Sequence, residues 1–373
     1  MYDHIREDSL YIMLYGMVTA MAMMASCYLL FRRANAIAPD ITSPVRLRRW
    51  TGVFFAFLAL NHVWYTPICF LTSNEDIKMI DLVGGLFDSM TFFPLTIVVM
   101  FIMLQDRSRP LWPIAVMFAP LVVLGAFCVA THSYAFQPMA YVYALLMWIG
   151  LIIYMVHATR QYGHWLRDNY ADLEHKEVWQ SFVVLAIMLL VFVVYAFVGE
   201  GTAYLYAMQV ILIILICYLL WRVETLSDLN ISQQQELPID NPLSLSVRNR
   251  SASPPGLSKN IGPLLKQYCE ESRLYLQYDI NISRLAREIG INRLYLSQYF
   301  SSQGMNYNAY INDLRINHFI SLYHEAVAAH RPVIAQQLAF ESGYQSYNTF
   351  RDAFKRKMGL SVTTWMARQE MEV

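Results

Sequence analysis

Seven long apolar segments, all before residue 222, constrain this chain more than any other feature. A helical run of about 20 apolar residues crosses the roughly 30 Å hydrocarbon core of a bilayer, and such runs are too long for ordinary buried strands. The sequence therefore predicts an all-α fold with a polytopic seven-helix transmembrane bundle. The spans are predicted at roughly 9–31, 51–72, 82–104, 111–131, 138–158, 179–199 and 203–221.

Composition separates this chain from ordinary soluble proteins. Apolar types make up 56% of the residues and charged types 15%, whereas soluble domains contain about 45–50% and about 25%. These proportions exclude a typical cytosolic enzyme as well as fibrous and intrinsically disordered proteins. The formal net charge is zero, but this average says nothing about how the charge is distributed along the chain.

The Lys and Arg residues of the short loops predict the orientation of the bundle. Loops after the first, third and fifth spans hold ten of them, whereas the opposite set holds only Arg6 and Lys78. Because positive loops stay on the cytoplasmic side, we expect the N-terminus outside and everything after residue 222 in the cytoplasm. The expected location is the bacterial cytoplasmic (inner) membrane, as a multi-pass protein. The ten residues are Arg32, Arg33, Arg46, Arg48, Arg49, Arg107, Arg109, Arg160, Arg167 and Lys176.

The composition changes sharply near residue 222 and predicts three parts. Residues 1–222 are expected to form a seven-helix transmembrane sensor-like domain, and residues 257–373 a second domain in the cytoplasm. Residues 223–256 are rich in Ser, Asn, Gln and Pro and cannot bury enough apolar surface to offset their ordering entropy, so a flexible cytoplasmic linker is expected. Three apolar residues at its start are spaced to extend the last span by two helical turns: Val223, Leu226 and Leu229.

The C-terminal domain contains one helical design twice. Residues 281–300 and 338–355 each read as a short amphipathic helix, a glycine and a second helix. Gly290 and Gly343 occupy the turns, where the absence of a Cβ permits a backbone conformation that other residues disfavour. This is the helix-turn-helix pattern, whose second helix enters the DNA major groove. A single match leaves an ordinary helical hairpin as an equal alternative, but two matches joined by a helical stretch argue against it.

Residues 261–367 resemble the double helix-turn-helix DNA-binding domain of the AraC/XylS transcription regulators. The Leu314-Arg315 pair resembles the end of the family's linker helix, and Asp352 departs from the pattern on the DNA-facing side, which leaves the sequence preference there open. The resemblance implies sequence-specific binding to double-stranded promoter DNA and, as a further partner, RNA polymerase. The family signature appears in the second repeat as Leu338, Ala339, Gly343, Tyr344, Phe350, Phe354, Lys355, Gly359 and Ser361; Val362, Trp365 and Met366 depart from it at the tail.

Helical geometry selects the residues expected to face DNA. Residues 256–368 carry 13 basic and 8 acidic residues, a net charge of +5, which is a modest footprint for phosphate binding. Leu294 suits contact with a thymine methyl group, and Gln298 suits pairing with adenine. In the first recognition helix the predicted DNA-binding residues are Asn292, Arg293, Leu294, Ser297, Gln298 and Ser301; in the second they are Ser346, Tyr347, Asn348, Arg351 and Lys355.

Three polar residues inside the predicted spans and one at the outer end of the sixth are candidates for signal sensing, because ionisable groups at membrane depth are expensive and usually functional. They are Asn61, His62, Asp88 and Glu200, which we expect to line a polar pocket open to the outside. The alternative is a structural hydrogen-bonded pair between neighbouring helices. The spacing of these residues matches no metal-dependent hydrolase motif. The sequence therefore predicts no catalytic residue, no metal site and no cofactor, and a protein that is not an enzyme.

Together these features predict a membrane-anchored one-component transcriptional regulator. An unknown signal ligand would act through the bundle, and the tethered domain would change its occupancy of promoter DNA. Homodimerisation within the lipid bilayer is the simplest mechanism across a flexible linker, because joining two weak modules raises avidity without new contacts. Two alternatives stay open: proteolytic release of the DNA-binding domain, and a membrane transporter or enzyme that carries an autoregulatory DNA-binding domain.

Overall fold

A computed structural model describes residues 8–71, 73–132, 136–184, 186–187, 202–229, 258–278 and 280–372. Every regular element among these residues is a helix, which confirms the all-α prediction. The chain divides into two compact units: the first takes its residues from 1–162 and 178–231, and the second from 163–177 and 232–373. Residues 163–177, which the sequence places before the sixth span, thus belong with the C-terminal domain.

The helices that precede the linker are long and largely apolar. They are α1 (Ser9–Phe31), α2 (Val45–Tyr65), α3 (Asn74–Met90), α4 (Phe92–Met103), α5 (Trp112–Thr131), α6 (Gln137–Asn169) and α7 (Thr202–Thr225), with a 3₁₀ turn at Thr66–Cys69.

Five helical stretches of the described chain are long and apolar enough to cross a membrane. Helix α2 covers most of the second predicted span but is not one of the five. Most of the predicted span 179–199, including Glu200 beyond its end, lies outside the described residues. The five stretches are Ser9–Phe31, Glu75–Met103, Trp112–Thr131, Pro138–Asn169 and Leu205–Thr225.

The third predicted span, 82–104, differs from the structure in two ways. Its helix begins earlier, at Asn74, and it is interrupted at Thr91 between α3 and α4. Pro94 explains the interruption, because a proline has no N–H to donate to the carbonyl four residues earlier. At the start of α4 the same proline is tolerated, since the first N–H groups of a helix lack an intrahelical partner.

A buried carboxylate anchors the end of α7. Glu224 accepts hydrogen bonds from the backbone N–H groups of Ala36 at 3.0 Å and Ile37 at 2.7 Å, and from the hydroxyl of Tyr28. The guanidinium of Arg48 lies 3.8 Å away, and the two charged side chains are 1% and 6% exposed. The last helix before the linker is therefore fixed to the loop after α1 and to the first turn of α2.

The chain that follows α7 packs against the same unit. Leu226 and Leu229 are buried, and the backbone N–H of Leu229 donates to the side-chain oxygen of Gln105 at 2.9 Å. The N–H of Asp228 donates to the carbonyl of Thr42, also at 2.9 Å. The expected two-turn extension of the last span is therefore wrong: the helix ends at Thr225, because the apolar residues are buried against the bundle instead.

The second unit contains two helix-turn-helix halves joined by one continuous helix. Its helices are α8 (Ser258–Leu265), α9 (Ile282–Ile289), α10 (Arg293–Ser302), α11 (Tyr307–Ala328), α12 (Ala335–Glu341), α13 (Tyr347–Met358) and α14 (Val362–Glu372), with a π turn at Lys266–Glu271 and a 3₁₀ turn at Leu274–Leu276.

Each half has its own hydrophobic core, and α11 contributes to both. Tyr307 and Ile311, at the start of α11, are buried in the first core with Leu296 and Phe300. Residues one and two turns further along the helix enter the second core, where Phe319 lies 4.6 Å from Phe350 between ring centroids. Because a single helix supplies both cores, the two halves cannot tilt independently without exposing apolar surface.

We predict that Glu224→Ala destabilises the first unit strongly, because it leaves the guanidinium of Arg48 buried without its carboxylate. Breaking a buried ion pair costs about 3 kcal/mol or more, which lowers the midpoint of thermal unfolding by about 6 °C or more. The measurement is thermal unfolding of the full chain in lipid nanodiscs. Arg107→Ala is the matched control, since Arg107 is 56% exposed beside Asp106 and an exposed pair contributes little. Equal shifts for both variants would refute the anchoring role.

Candidate nucleic-acid interface

The first helix-turn-helix half is built from α9 and α10. The side-chain oxygen of Asn281 caps α9 by accepting from the N–H of Arg284 at 2.8 Å. Gly290 ends the helix with φ +78°, a left-handed conformation that favours glycine. Leu285 on α9 and Leu296 on α10 are fully buried in the same hydrophobic core. Helix α10 therefore leaves the turn in a fixed direction, as a recognition helix requires.

The second half repeats this design with α12 and α13, and its glycine is more tightly enclosed. Gly343 has φ +89°, and a Cβ at this position would lie 2.7 Å from the Cα of Leu276. The turn between α12 and α13 thus packs directly on the backbone of the first half. Gly290 has no such neighbour within 4 Å, so the two glycines serve the same turn under different steric constraints.

A buried arginine on α11 joins the two halves. Arg315 is 1% exposed, and its guanidinium donates to the carbonyls of Tyr275 and Gln277, both at 2.8 Å. The same guanidinium lies 5.4 Å from the ring centroid of Tyr344 in the second half. Burial lowers the pKa of Arg315, but the backbone carbonyls and the aromatic face stabilise its charge. The Leu314-Arg315 pair of the sequence therefore has a structural role in setting the spacing of α10 and α13.

The predicted DNA-binding residues separate into two groups by exposure. Half-buried positions have local roles as well; for example, the ring of Tyr347 lies 5.7 Å from that of Phe350. Even among the exposed positions, Asn292 uses its side-chain oxygen to cap α10 through the N–H of Leu294 at 2.8 Å. The exposed residues are Asn292, Leu294, Gln298, Ser301, Asn348, Arg351 and Lys355; the half-buried ones are Arg293, Ser297, Ser346 and Tyr347.

The basic residues of α13 differ in their availability to phosphates. Arg351, Lys355 and Arg356 are exposed, whereas Lys357 bridges to the carboxylate of Asp313 on α11 at 3.2 Å. The pair is partly solvent-exposed and therefore contributes little to stability. It does direct one of the four basic side chains of α13 toward the protein. The charge count from the sequence thus overstates the positive surface that this helix presents.

Residues 168–174, which we call the strap, pack against the C-terminal domain as part of the second unit. The side chain of Asn308 on α11 donates to the carbonyls of Tyr170 at 3.2 Å and Ala171 at 2.6 Å. Ala171 is 1% exposed and belongs to the first hydrophobic core. Tyr170 also forms an isolated antiparallel bridge with Asn281, the residue that caps α9. The strap is therefore held by backbone contacts at two points of the domain.

The strap also reaches both recognition helices. Arg293, the first residue of α10, donates to the side-chain oxygen of Asn169. Thr349, in the first turn of α13, donates its hydroxyl to the carboxylate of Glu174 at 3.0 Å. Asp168 lines one small crevice with Ser297 and Ser301. One short segment thus contacts the N-terminal turns of both helices.

Sequence reasoning missed the strap and Thr349. The available signal was a cluster of carboxylates in a loop of the positively charged set: Asp168, Asp172 and Glu174 lie within seven residues of one another. The orientation argument counted only the Lys and Arg residues of this loop. Of these carboxylates, Asp168 lies beside α10 and Glu174 contacts α13, and both helices lie more than a hundred residues away in the chain. No local sequence pattern encodes such contacts.

The structure brings one pair of the proposed sensing residues together. The amide of Asn61 donates to the carboxylate of Asp88 at 2.8 Å, and the hydroxyl of Tyr65 donates to the same carboxylate at 2.9 Å. Helices α2 and α3 are joined by these bonds. The arrangement is a satisfied hydrogen-bond network between neighbouring helices, which is the structural alternative that the sequence left open.

His62 belongs to a different contact. Its ring nitrogen lies 2.9 Å from the side-chain oxygen of Gln209 on α7, and its ring stacks on Tyr15 with centroids 4.3 Å apart. Glu200 lies outside the described residues. The predicted four-residue pocket is therefore represented by two separate polar contacts. Among the residues that the structure describes, no group of three or more His, Cys, Asp and Glu side chains is arranged to hold a metal ion.

Comparison with protein families locates the domain in the chain. The family model described as "Helix-turn-helix domain", which is of the AraC type, matches residues 285–368. This match confirms the resemblance stated for the C-terminal module, and a domain of this type is regulatory rather than catalytic. Neither the curated proteins nor the solved structures contain a match to the chain.

We predict that Gly343→Ala destabilises the second helix-turn-helix half far more than Gly290→Ala destabilises the first. Both variants place Ala at positive φ, which costs about 1–2 kcal/mol, but only at residue 343 does the new Cβ meet backbone atoms. Hydrogen exchange of the α10 and α13 amides in the full chain measures the local effect in each half. Equal loss of protection in the two halves would show that the contact with Leu276 has no role.

Proposed function

We propose that this chain is a membrane-anchored one-component transcriptional regulator, starting from the premise that residues 285–368 are an AraC-type helix-turn-helix domain. The observation that carries the proposal is the combination, in one chain, of this domain with five helical stretches long and apolar enough to span a bilayer. Such a chain fits a membrane protein whose DNA-binding domain is cytoplasmic. Signal and response then reside in one molecule, with no separate phosphorelay partner needed.

The tandem recognition helices read an asymmetric site on double-stranded promoter DNA. In a helix-turn-helix the N-terminal part of the second helix contacts base edges. Leu294 and Gln298 on α10, and Asn348 and Arg351 on α13, are exposed and suit apolar or hydrogen-bonded contact with bases. Because α11 and Arg315 fix the two halves to one another, α10 and α13 enter successive segments of the major groove. RNA polymerase is the partner that the domain type implies.

Sensing proceeds through the helices of the first unit. The two polar contacts described above connect α2 with α3 and with α7, and both pairs lie where the alternative to a hydrogen bond is an unsatisfied polar group in hydrocarbon. A ligand or a bilayer change that competes for one contact shifts α7. The end of α7 is anchored by Glu224, which the sequence assigns to the first residues of the linker. A change in dimerisation within the lipid bilayer is the simplest way to convey that shift to DNA occupancy.

The DNA-binding proposal is tested with the full chain in lipid nanodiscs. A preferred duplex is first selected from a random-sequence pool, and affinity is then measured by fluorescence anisotropy at several salt concentrations. We expect Gln298→Ala to relax preference at one base pair by about 1–3 kcal/mol. Lys355→Ala should weaken binding to all sequences alike. It should also reduce the slope of log affinity against log salt concentration by about 1, the contribution of one phosphate contact.

The matched control is Lys266→Ala, which removes an exposed positive charge of the same unit that is not part of either recognition helix. It should leave both sequence preference and most of the salt slope unchanged. If the selection yields no enriched sequence and binding does not depend on salt, the proposed function is wrong. If Lys266→Ala and Lys355→Ala act alike, the placement of DNA on α13 is wrong while DNA binding itself stands.

Proteolytic release makes a different prediction from the same chain. We expect immunoblots of a C-terminally tagged protein to show only the 43.3 kDa species while a reporter driven by the selected duplex responds. The physical reason is that regulation by occupancy of DNA needs no covalent change. A domain-sized fragment of about 13–16 kDa that accumulates with reporter output would instead establish release.

A further inference from the structure

The strap occupies the same positions that a recognition helix uses to contact DNA. Helix-turn-helix domains bring the N-terminal residues of the recognition helix to the bases and phosphates. Arg293 and Thr349, which the strap engages, lie in the first turns of α10 and α13. A guanidinium and a hydroxyl are both groups that contact DNA phosphates, and each has a strap residue as its acceptor. DNA and the strap therefore compete for the same donors.

We propose that the strap is an autoinhibitory segment which covers the N-terminal ends of both recognition helices, and that DNA must displace it in order to bind. The inference rests on the proposed function, since it assumes that α10 and α13 read DNA. It goes beyond that function because it assigns to residues 168–174 a role as an intramolecular competitor of DNA.

The charge of the segment supports competition rather than a supporting contact with DNA. Residues 163–177 contain four carboxylates and two basic side chains, a net charge of −2. Glu174 accepts from the hydroxyl of Thr349, and Asp168 lines one crevice with the half-buried Ser297 of α10. A phosphate placed at either site would meet a carboxylate at close range, and like charges that close repel strongly where solvent is excluded. The docked strap and bound DNA are thus mutually exclusive.

The attachment of the strap permits release. In the first hydrophobic core the strap places one small side chain, Ala171, and its carbonyls accept from Asn308 at 2.6 and 3.2 Å. The ring of Tyr170 is also buried, at 6% exposed, and lies 5.8 Å from that of Trp165 on α6 between centroids. No large apolar side chain of the strap enters either hydrophobic core of the second unit among the described residues. Release costs at most the burial of Ala171 and Tyr170 together with a few hydrogen bonds, which is less than the cost of unfolding a helix-turn-helix half. The strap is also covalently continuous with α6, so a movement of that helix acts on it directly.

The test uses the full chain in lipid nanodiscs and the duplex selected for the DNA-binding experiment. The double variant Asn169→Ala with Glu174→Ala removes the acceptors of Arg293 and Thr349. Each is a hydrogen bond to or from a charged group, so the open form should become more populated and DNA affinity should rise by about tenfold. Glu271→Ala is the control, since it removes an exposed carboxylate of the same unit that is not part of the strap. It should change affinity by less than about twofold, the effect of screened charge alone.

A second measurement does not depend on any variant. Hydrogen exchange of the wild-type chain is followed with and without the selected duplex. We expect amides of residues 168–174 to lose protection when DNA binds, while the amides of α11 keep theirs. Unchanged or increased protection of residues 168–174 in the DNA complex would overturn the proposal, because the strap would then remain docked on the DNA-bound domain.

The outcomes separate this inference from the function on which it rests. Sequence-selective, salt-dependent binding that is equal in the wild type and the double variant refutes autoinhibition and leaves the regulator intact. Absence of selective binding in every variant, including the double variant, refutes both. A rise of affinity in Glu271→Ala equal to that of the double variant also refutes autoinhibition, because general charge removal would then account for the effect.

Discussion

The buried guanidinium of Arg315 is the interaction on which the geometry of the C-terminal domain depends. It donates to two carbonyls of the 274–277 turn in the first half and lies against the ring of Tyr344 in the second half. A buried charge tolerates little change in its partners, since losing one leaves an uncompensated group in a low-dielectric interior. Gly343 packs on the same turn, at Leu276. The spacing of the recognition helices thus depends on the buried hydrogen bonds of Arg315 and on the steric contact of Gly343 with Leu276, rather than on the loops between the helices.

Much of this architecture follows from patterns that are local in the chain. Apolar length predicts the spans, and paired Gly residues with helical spacing predict the two helix-turn-helix halves, because both signals depend on backbone geometry within a few turns. The anchoring of Glu224 to Ala36 and Ile37 could not be predicted in the same way. A lone glutamate at the end of an apolar helix reads as a solvated terminus until the partner loop is placed beside it. The contacts of Asn61 and His62 were ambiguous for the same reason, since sequence shows that a polar residue is buried but not which helix satisfies it.

The strap gives the proposed regulator a second connection between its two units. A flexible linker sets reach and effective concentration but transmits rotation poorly. The chain beyond α7 begins with residues that are fixed to the first unit, through the hydrogen bond between Leu229 and Gln105. These residues therefore do not carry a movement of α7 into the second unit. Residues 163–169 continue α6 within the second unit and end at the recognition helices. A second covalent connection therefore exists, and it ends beside Arg293 and Thr349, for which we propose a role in DNA binding.

The modest charge of the DNA-binding module has a physical consequence in this light. A net charge of +5 in residues 256–368 supplies only a weak field for phosphates, and residues 163–177, with a net charge of −2, reduce it further while the strap is docked. A strongly basic module would hold DNA non-specifically whether or not an acidic segment competed, because each neutralised phosphate adds to affinity independently of sequence. A weakly basic module leaves the free energy of docking the strap comparable to the free energy of binding DNA. Small movements of α6 can then decide between them, since a ligand or contact shifts a two-state equilibrium only by its differential affinity for the two states.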